Sequence, residues 1–244
     1  MLRKGVLIIL SLSCFHFSFP QSSLADSNNS INTLQYAKSL YYDISGDNIH
    51  LYNGSEYPGY DISFIGNPFF DTTAMVPGSI FYDGTLYENV PMLFDIQNDA
   101  VVIYRRNVNF KIRLVNEKID HFTFLSHEFL RIAADSNNKF SLPTGFYDRV
   151  YNGNSTFLVQ RKKFTKDDPV VNGEVKTRFI EFENYFVKQN NRFYPVKTRK
   201  SVLALFKDKE KDLRRFIKKN KLKFKKKPEY AILQVVRYYD QTRN

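Results

Sequence analysis

The sequence predicts an α+β protein, mainly an antiparallel β-meander with a C-terminal helical hairpin. Turn-forming pairs such as Asp83-Gly84 recur between runs of β-prone residues, which is typical of consecutive hairpins. Residues 108–115 alternate apolar and polar side chains, as a strand with one buried face does. The apolar residues after Thr198 instead recur at helical spacing. The pattern leaves undecided whether the sheet is open, a half-barrel or a barrel.

Residues 1–25 have the features of a signal peptide for export. Arg3 and Lys4 precede a short apolar run, and residues 23–25 supply the small side chains of a cleavage site. The apolar run is too short to span a bilayer. The only cysteine, Cys14, is either removed with this segment or kept as a lipid anchor. We therefore predict export to the periplasm or the cell-envelope surface, with no transmembrane span.

The rest of the chain divides into three predicted parts. Residues 26–48 read as a flexible leader that contains a short helix near its end. Residues 49–197 carry the strand signals and form the predicted antiparallel β domain, with hairpin turns expected at Asn53-Gly54, Asn152-Gly153 and Asn190-Asn191. The strands do not alternate with long helical segments, which argues against a parallel α/β fold.

Residues 198–244 form the third part, a basic helical hairpin expected to dock on the sheet. One helix is expected between a cap at Thr198 or Ser201 and Asn220, and Pro228 suits the first turn of a second helix. The second helix is expected to turn one apolar stripe to the sheet, formed by Tyr230, Leu233, Val236 and Tyr239.

Positive charge is concentrated near the C-terminus. The formal net charge is +11, and residues 188–227 alone hold 17 basic and 3 acidic residues. The predicted anionic-surface residues are Lys218, Lys219, Lys221, Lys223, Lys225, Lys226 and Lys227. Their expected partners are anionic lipid, lipopolysaccharide or an acidic envelope protein. In that interpretation Leu222 and Phe224 insert as apolar anchors. The alternative is a solvated, lysine-rich helix end with these two residues tucked beneath it. Export and the lack of a binding motif argue against nucleic acid.

A second candidate is the irregular segment 59–78. It holds Asn67, Phe69, Phe70 and Asp71, which form a possible ligand loop. Aromatic side chains in such a loop also tuck into the core of a fold, and both interpretations stay open at this point.

Catalytic and metal-binding motifs are missing from the sequence. There is no phosphate-binding glycine loop, nucleophile elbow or cysteine nucleophile, and His127-Glu128 lacks the second histidine of a helical zinc site. His121 and His127 are expected to lie on neighbouring strands. We predict no catalytic residue, metal or cofactor. The alternatives are a carboxylate-based hydrolase with Asp61, Asp71 and His121 in a cleft, or a carrier of lipid or another hydrophobic ligand on a curved sheet.

Several short stretches resemble one group of proteins. They are Asp83-Gly84, residues 87–91 and 93–95 in the meander, and residues 201–203, 209–211 and 217–222 in the helical part. These stretches are similar to uncharacterised exported proteins of Bacteroidetes-type bacteria. The resemblance covers most of the chain after the signal and implies export, but it carries no activity. We predict a non-enzymatic binding or structural module of the bacterial cell envelope.

Overall fold

The structure is a computed structural model that describes residues 50–60, 64–105, 110–137, 141–169 and 175–243. The predicted signal peptide, leader and leader helix lie outside the described residues. In the part that is described, one open antiparallel sheet of eleven strands carries three α-helices, which confirms the predicted α+β meander. Among the described residues, no helix combines the length and the apolar character that a membrane crossing requires.

The strands follow one another along the chain. They are β1 (Ser55–Glu56), β2 (Val76–Tyr82), β3 (Thr85–Asp95), β4 (Ala100–Arg105), β5 (Phe110–Arg113), β6 (Ile119–Phe124), β7 (His127–Ile132), β8 (Gly145–Asn152), β9 (Thr156–Asp167), β10 (Thr177–Gln189) and β11 (Arg192–Val196). Their order in the sheet is β1-β5-β4-β3-β2-β6-β7-β8-β9-β10-β11. Consecutive strands are therefore neighbours, except where β1 joins β5 and where β2 joins β6.

Left-handed turn residues connect several of these strands. Asp83 and Gly84 have φ angles of 51° and 77°, and Asn190 and Asn191 have 50° and 60°. Positive φ at both central residues is the requirement of a type I′ turn, which confirms the hairpins predicted at these two pairs. Leu125 and Ser126 adopt the same sign of φ, at 50° and 65°, although neither residue type signals such a turn.

The hairpin predicted at Asn53-Gly54 is wrong within the described residues. Positions 50–52 form a turn, and β1 pairs with β5 rather than with a preceding strand. A Cβ atom on Gly54 would lie 2.1 Å from the carbonyl oxygen of Arg113 on β5. The glycine therefore permits a close approach of two backbones, which is another common use of this residue.

An aromatic core covers one face of the first half of the sheet. Phe94, Phe122, Phe129 and Phe146 are at most 1% exposed, and Phe94 and Phe122 both contact Phe129 at ring-centroid distances of 4.9 Å. Such ring pairs add to the free energy gained by burying apolar area. The phenylalanines that permitted a ligand-carrier interpretation pack against one another here.

The helices cover the second half of the sheet. They are α1 (Arg199–Leu205), α2 (Glu210–Lys219) and α3 (Pro228–Arg243). The single predicted first helix is thus two helices, because Phe206 leaves helical geometry at φ −107° and ψ 52°. This bend buries Phe206 completely and stacks its ring on Tyr239 at 4.0 Å. The predicted cap at Thr198 is confirmed, and it forms a capping box with Ser201.

The apolar stripe of α3 differs from the predicted one. Tyr230 is 55% exposed, whereas the buried residues with helical spacing are Ile232, Val235, Val236 and Tyr239. Three residues span about 300° of an α-helix, so a strict three-residue repeat drifts around the helix instead of following one face. Spacings of three and four residues together keep a stripe on one face.

Candidate functional site

The turn after α2 has the hydrogen bonds of a Schellman motif. The backbone N–H of Leu222 donates to the carbonyl of Ile217 over 3.1 Å, and that of Lys221 donates to Lys218 over 3.2 Å. Lys221 takes the left-handed position of this motif, with φ 52°. Glycine is the usual residue there because it has no Cβ atom. The motif turns the chain back over the end of α2.

Basic side chains surround a groove beside this turn. The groove is open to solvent and has a volume of about 630 Å³. Its lining consists of six cationic residues and two apolar residues: Arg199, Arg214, Arg215, Lys218, Lys221, Lys223, Ile217 and Leu222. The six cationic residues are exposed, Ile217 is buried and Leu222 is half-buried. We call these eight residues the basic groove.

Carboxylates neutralise only part of this charge. The Nε atom of Arg214 donates to Glu210 over 2.8 Å, and Arg215 contacts Asp212 over 3.0 Å. Within the part of the chain that the structure describes, Arg199, Lys218, Lys221 and Lys223 form no salt bridge. The basic groove therefore keeps an excess of positive charge that faces solvent.

The structure brings together some of the predicted lysines and separates others. Lys218, Lys221 and Lys223 line the basic groove, whereas Lys219, Lys225, Lys226 and Lys227 are exposed outside its lining. Leu222 and Phe224 pack against the second core, which is the apolar cluster that the helices form with β9, β10 and β11. They therefore lie beneath the lysines rather than projecting as anchors. We define Lys225, Lys226 and Lys227, which immediately precede α3, as the linker lysines.

Sequence reasoning missed the three arginines of the basic groove. Arg214 precedes Lys218 by four residues on α2, a spacing that places two side chains on one helix face. That signal was readable from the sequence. Arg199 begins α1 and reaches the groove only because α1 packs against α2, and no local pattern encodes that contact.

Comparison with known proteins adds no function to this geometry. No protein-family model, curated protein or solved structure matches this chain. The resemblance to exported proteins of Bacteroidetes-type bacteria stays a prediction. A function has to be argued from the arrangement of the side chains themselves.

A second charged cluster is buried between the two cores. Arg161 on β9 is 5% exposed and donates to Asp148 on β8 over 3.1 Å and to Glu229 on α3 over 2.6 Å. It also contacts Glu183 on β10, and its guanidinium lies 5.7 Å from the ring centroid of Phe70. The cluster thus connects the first turn of α3 with three elements of the sheet. Its groups satisfy one another, which is typical of a structural role.

His127 extends this cluster towards the surface. Its Nδ1 atom lies 2.8 Å from a carboxylate oxygen of Asp148. The hydrogen bond to Asp148 raises the pKa of His127, against the effect of burial. For Arg161, burial opposes the charged form, but the bonds to Glu229 and Asp148 raise its pKa. Every charge in the cluster therefore has an oppositely charged neighbour.

The predicted ligand loop is packed into the fold. Phe70 is 3% exposed, and its ring meets that of Phe129 edge to face at 5.4 Å. Phe69 packs on the opposite face of the sheet, and its N–H donates to the side chain of Asn67 over 3.0 Å. Asp71 is exposed, with φ 53°. These contacts favour the core interpretation of the two aromatic residues over the ligand loop.

The residues of the alternative hydrolase do not form an acid–base pair in the described structure. Asp61 lies outside the described residues. His121 stacks on Phe81 at 5.5 Å, and its strand partner on β7 is Leu130 rather than His127. In the described ranges, no cluster of three histidine, cysteine or acidic residues is placed to hold a metal. Glu128, a proposed neighbour of such a site, instead binds Arg149 over 2.9 Å.

Proposed function

We propose that this protein is an exported, non-enzymatic binding module whose helical hairpin docks on an anionic lipid surface of the bacterial cell envelope. The observation that supports this most is the excess of unpaired cations in and beside the basic groove. Each basic residue near an anionic membrane contributes roughly 1 kcal/mol, so several together give useful affinity. Lipopolysaccharide and an acidic envelope protein offer similar negative charge, and absence of binding to the anionic vesicles would favour these partners over a lipid surface.

The position of the charge supports docking through the hairpin in particular. Apart from Arg199, the residues of the basic groove and the linker lysines all lie between positions 214 and 227. The apolar residues beneath them are engaged with the second core, so the surface can offer charge without unfolding. The rest of the chain after the signal is net acidic, which disfavours contact through the sheet.

Co-sedimentation with vesicles tests this proposal. Residues 26–244 are mixed with anionic or neutral vesicles over a range of salt concentrations. We expect binding to the anionic vesicles only, with an affinity that falls as salt screens the charges. Changing the linker lysines to glutamate (Lys225→Glu, Lys226→Glu, Lys227→Glu) should abolish most of this binding.

A matched control changes three exposed lysines of the sheet region by the same amount of charge. Lys111, Lys166 and Lys176 are exposed and form no salt bridge among the described residues. Their change to glutamate should leave vesicle binding largely intact. Equal loss in both triple variants would mean that net charge alone drives adsorption, and the docking role of the hairpin would be wrong. Binding to neutral vesicles would also contradict it.

A further inference from the structure

We infer that the basic groove is a specific subsite for the phosphate monoester of a membrane lipid. This inference rests on the proposed docking function and adds a ligand class to it. A diffuse basic surface would attract any anionic lipid in proportion to charge. The basic groove instead gathers its cations around one shallow, solvent-open depression of about 630 Å³, which is large enough for a single headgroup.

The charge of the groove suits a doubly charged group. Six cationic side chains share the lining, and two of them, Arg214 and Arg215, are paired with carboxylates. A phosphate monoester carries about −1.5 to −2 at neutral pH, whereas a phosphodiester carries one negative charge. The monoester therefore gains more from the remaining positive charge.

The types of side chain also fit phosphate. Arginine presents planar N–H donors that bind two phosphate oxygens at once, and lysine adds a compact point charge. Arg199 approaches from α1, while Lys218 and Lys223 flank the end of α2. Donors from separate segments can surround one tetrahedral group, which residues along a single helix face cannot do.

The apolar part of the lining indicates a lipid as the source of the phosphate. Ile217 is 4% exposed, so the apolar surface that lines the groove beside the cations comes mainly from the half-buried Leu222. A free phosphate ion gains nothing from an apolar wall. The glycerol and first methylene groups of a lipid do gain from leaving water there.

The backbone conformation of Lys221 also supports a binding role for the charge at this turn. It adopts a left-handed conformation, with φ 52°, that is unfavourable for a residue with a Cβ atom. Glycine would complete the same Schellman motif without this strain. A strained residue at a candidate binding site is consistent with a functional role for its side chain.

The test compares vesicles that contain phosphatidic acid, a monoester, with vesicles that contain phosphatidylglycerol, a diester, at matched surface potential. We expect about tenfold tighter binding to phosphatidic acid, the effect of one additional charged hydrogen bond. Neutralising the groove (Arg199→Gln, Lys218→Gln, Lys223→Gln) should remove this preference. Neutralising the linker lysines to glutamine removes the same charge outside the lining and should weaken both interactions while keeping the preference.

The Lys221→Gly variant guards against loss of binding through unfolding. Because glycine relieves the strain at this position, the variant should be folded, and its preference for phosphatidic acid should still decrease. Soluble glycerol phosphate at the same phosphate concentration should compete weakly, since it lacks the apolar part.

The outcomes separate this inference from the docking proposal. Equal binding of wild type to the two lipids, with anionic dependence intact, would overturn the monoester subsite and leave docking in place. Loss of preference in both neutralised variants alike would also overturn the subsite. If soluble glycerol phosphate competed with the vesicles as strongly as phosphatidic acid binds, the inference that the phosphate belongs to a lipid would be wrong. Absence of binding to any anionic vesicle would overturn both proposals.

Discussion

The cations of the sheet and the cations of the helical hairpin differ in what they contact. On the sheet, Arg131 pairs with Glu117, and Arg178 pairs with Asp168. Among the described residues from position 218 to 227, no lysine has such a partner. These two arginines of the sheet are therefore used within the fold. The lysines from position 218 to 227 keep their charge available for a partner outside the fold.

The energetics of the two regions differ for the same reason. A buried ion pair is expensive to break, because removing one partner leaves the other charge without water or a counter-ion. An exposed lysine keeps its hydration and contributes little to the free energy of unfolding. Stability measurements and binding measurements should consequently respond to different sets of residues.

The largest expected effect concerns Arg161. Changing it to methionine leaves Asp148, which is 1% exposed, without its principal counter-charge. We expect the free energy of unfolding in urea to fall by about 3–5 kcal/mol. The matched control is Arg149→Met, whose pair with Glu128 is more exposed and should lose at most about 1 kcal/mol. Similar losses in both variants would contradict the contrast between buried and exposed pairs.

The next largest expected effect is an increase in the free energy of unfolding. Lys221→Gly should raise the free energy of unfolding by about 1 kcal/mol, because glycine takes the left-handed position without a Cβ clash. Urea denaturation of this variant is compared with that of Lys219→Gly. Lys219 is the last residue of α2, where glycine should lower stability by less than the roughly 1 kcal/mol that it costs in a helix interior. If both changes destabilised the protein equally, the backbone conformation assigned to Lys221 would be incorrect.

A smaller effect should appear in the pH dependence of stability. Hydrogen bonding to Asp148 raises the pKa of His127 in the folded state above the ordinary value of 6.5. The stabilising contribution is thus fully present below pH 6.5 and disappears as the pH rises through the folded-state pKa. We expect unfolding free energy to decline over that range and the decline to flatten in His127→Gln. An unchanged slope in the variant would show that other groups cause the dependence.

Local sequence signals predicted the strands and most of their turns. Asp83-Gly84 and Asn190-Asn191 identified type I′ turns because their residue types tolerate positive φ. The turn at Leu125-Ser126 carries no such signal, and its conformation is imposed by the pairing of β6 with β7. The hairpin predicted at Asn53-Gly54 was wrong because glycine is used both in turns and where two backbones approach closely, and the sequence does not distinguish these uses.

For the basic groove, the sequence predicted the presence of positive charge but not the arrangement of the residues. The lysine run showed where positive charge lies, but not which lysines share a concavity with arginines. Arg199 joins Lys218 through tertiary packing of α1 and α2, and long-range contacts of this kind leave no periodic pattern in the sequence. The buried cluster around Arg161 likewise depends on strand register, which aligns residues that are far apart in the chain.

Lysine footprinting tests the central claim most directly. Residues 26–244 are acetylated briefly with and without anionic vesicles, and the modified positions are quantified by mass spectrometry. The account predicts strong protection by the vesicles at Lys218, Lys219, Lys221, Lys223, Lys225, Lys226 and Lys227. It predicts unchanged reactivity at Lys111, Lys166 and Lys176, which are also exposed and belong to the sheet region. Protection of the sheet lysines, or none at the hairpin, would contradict it.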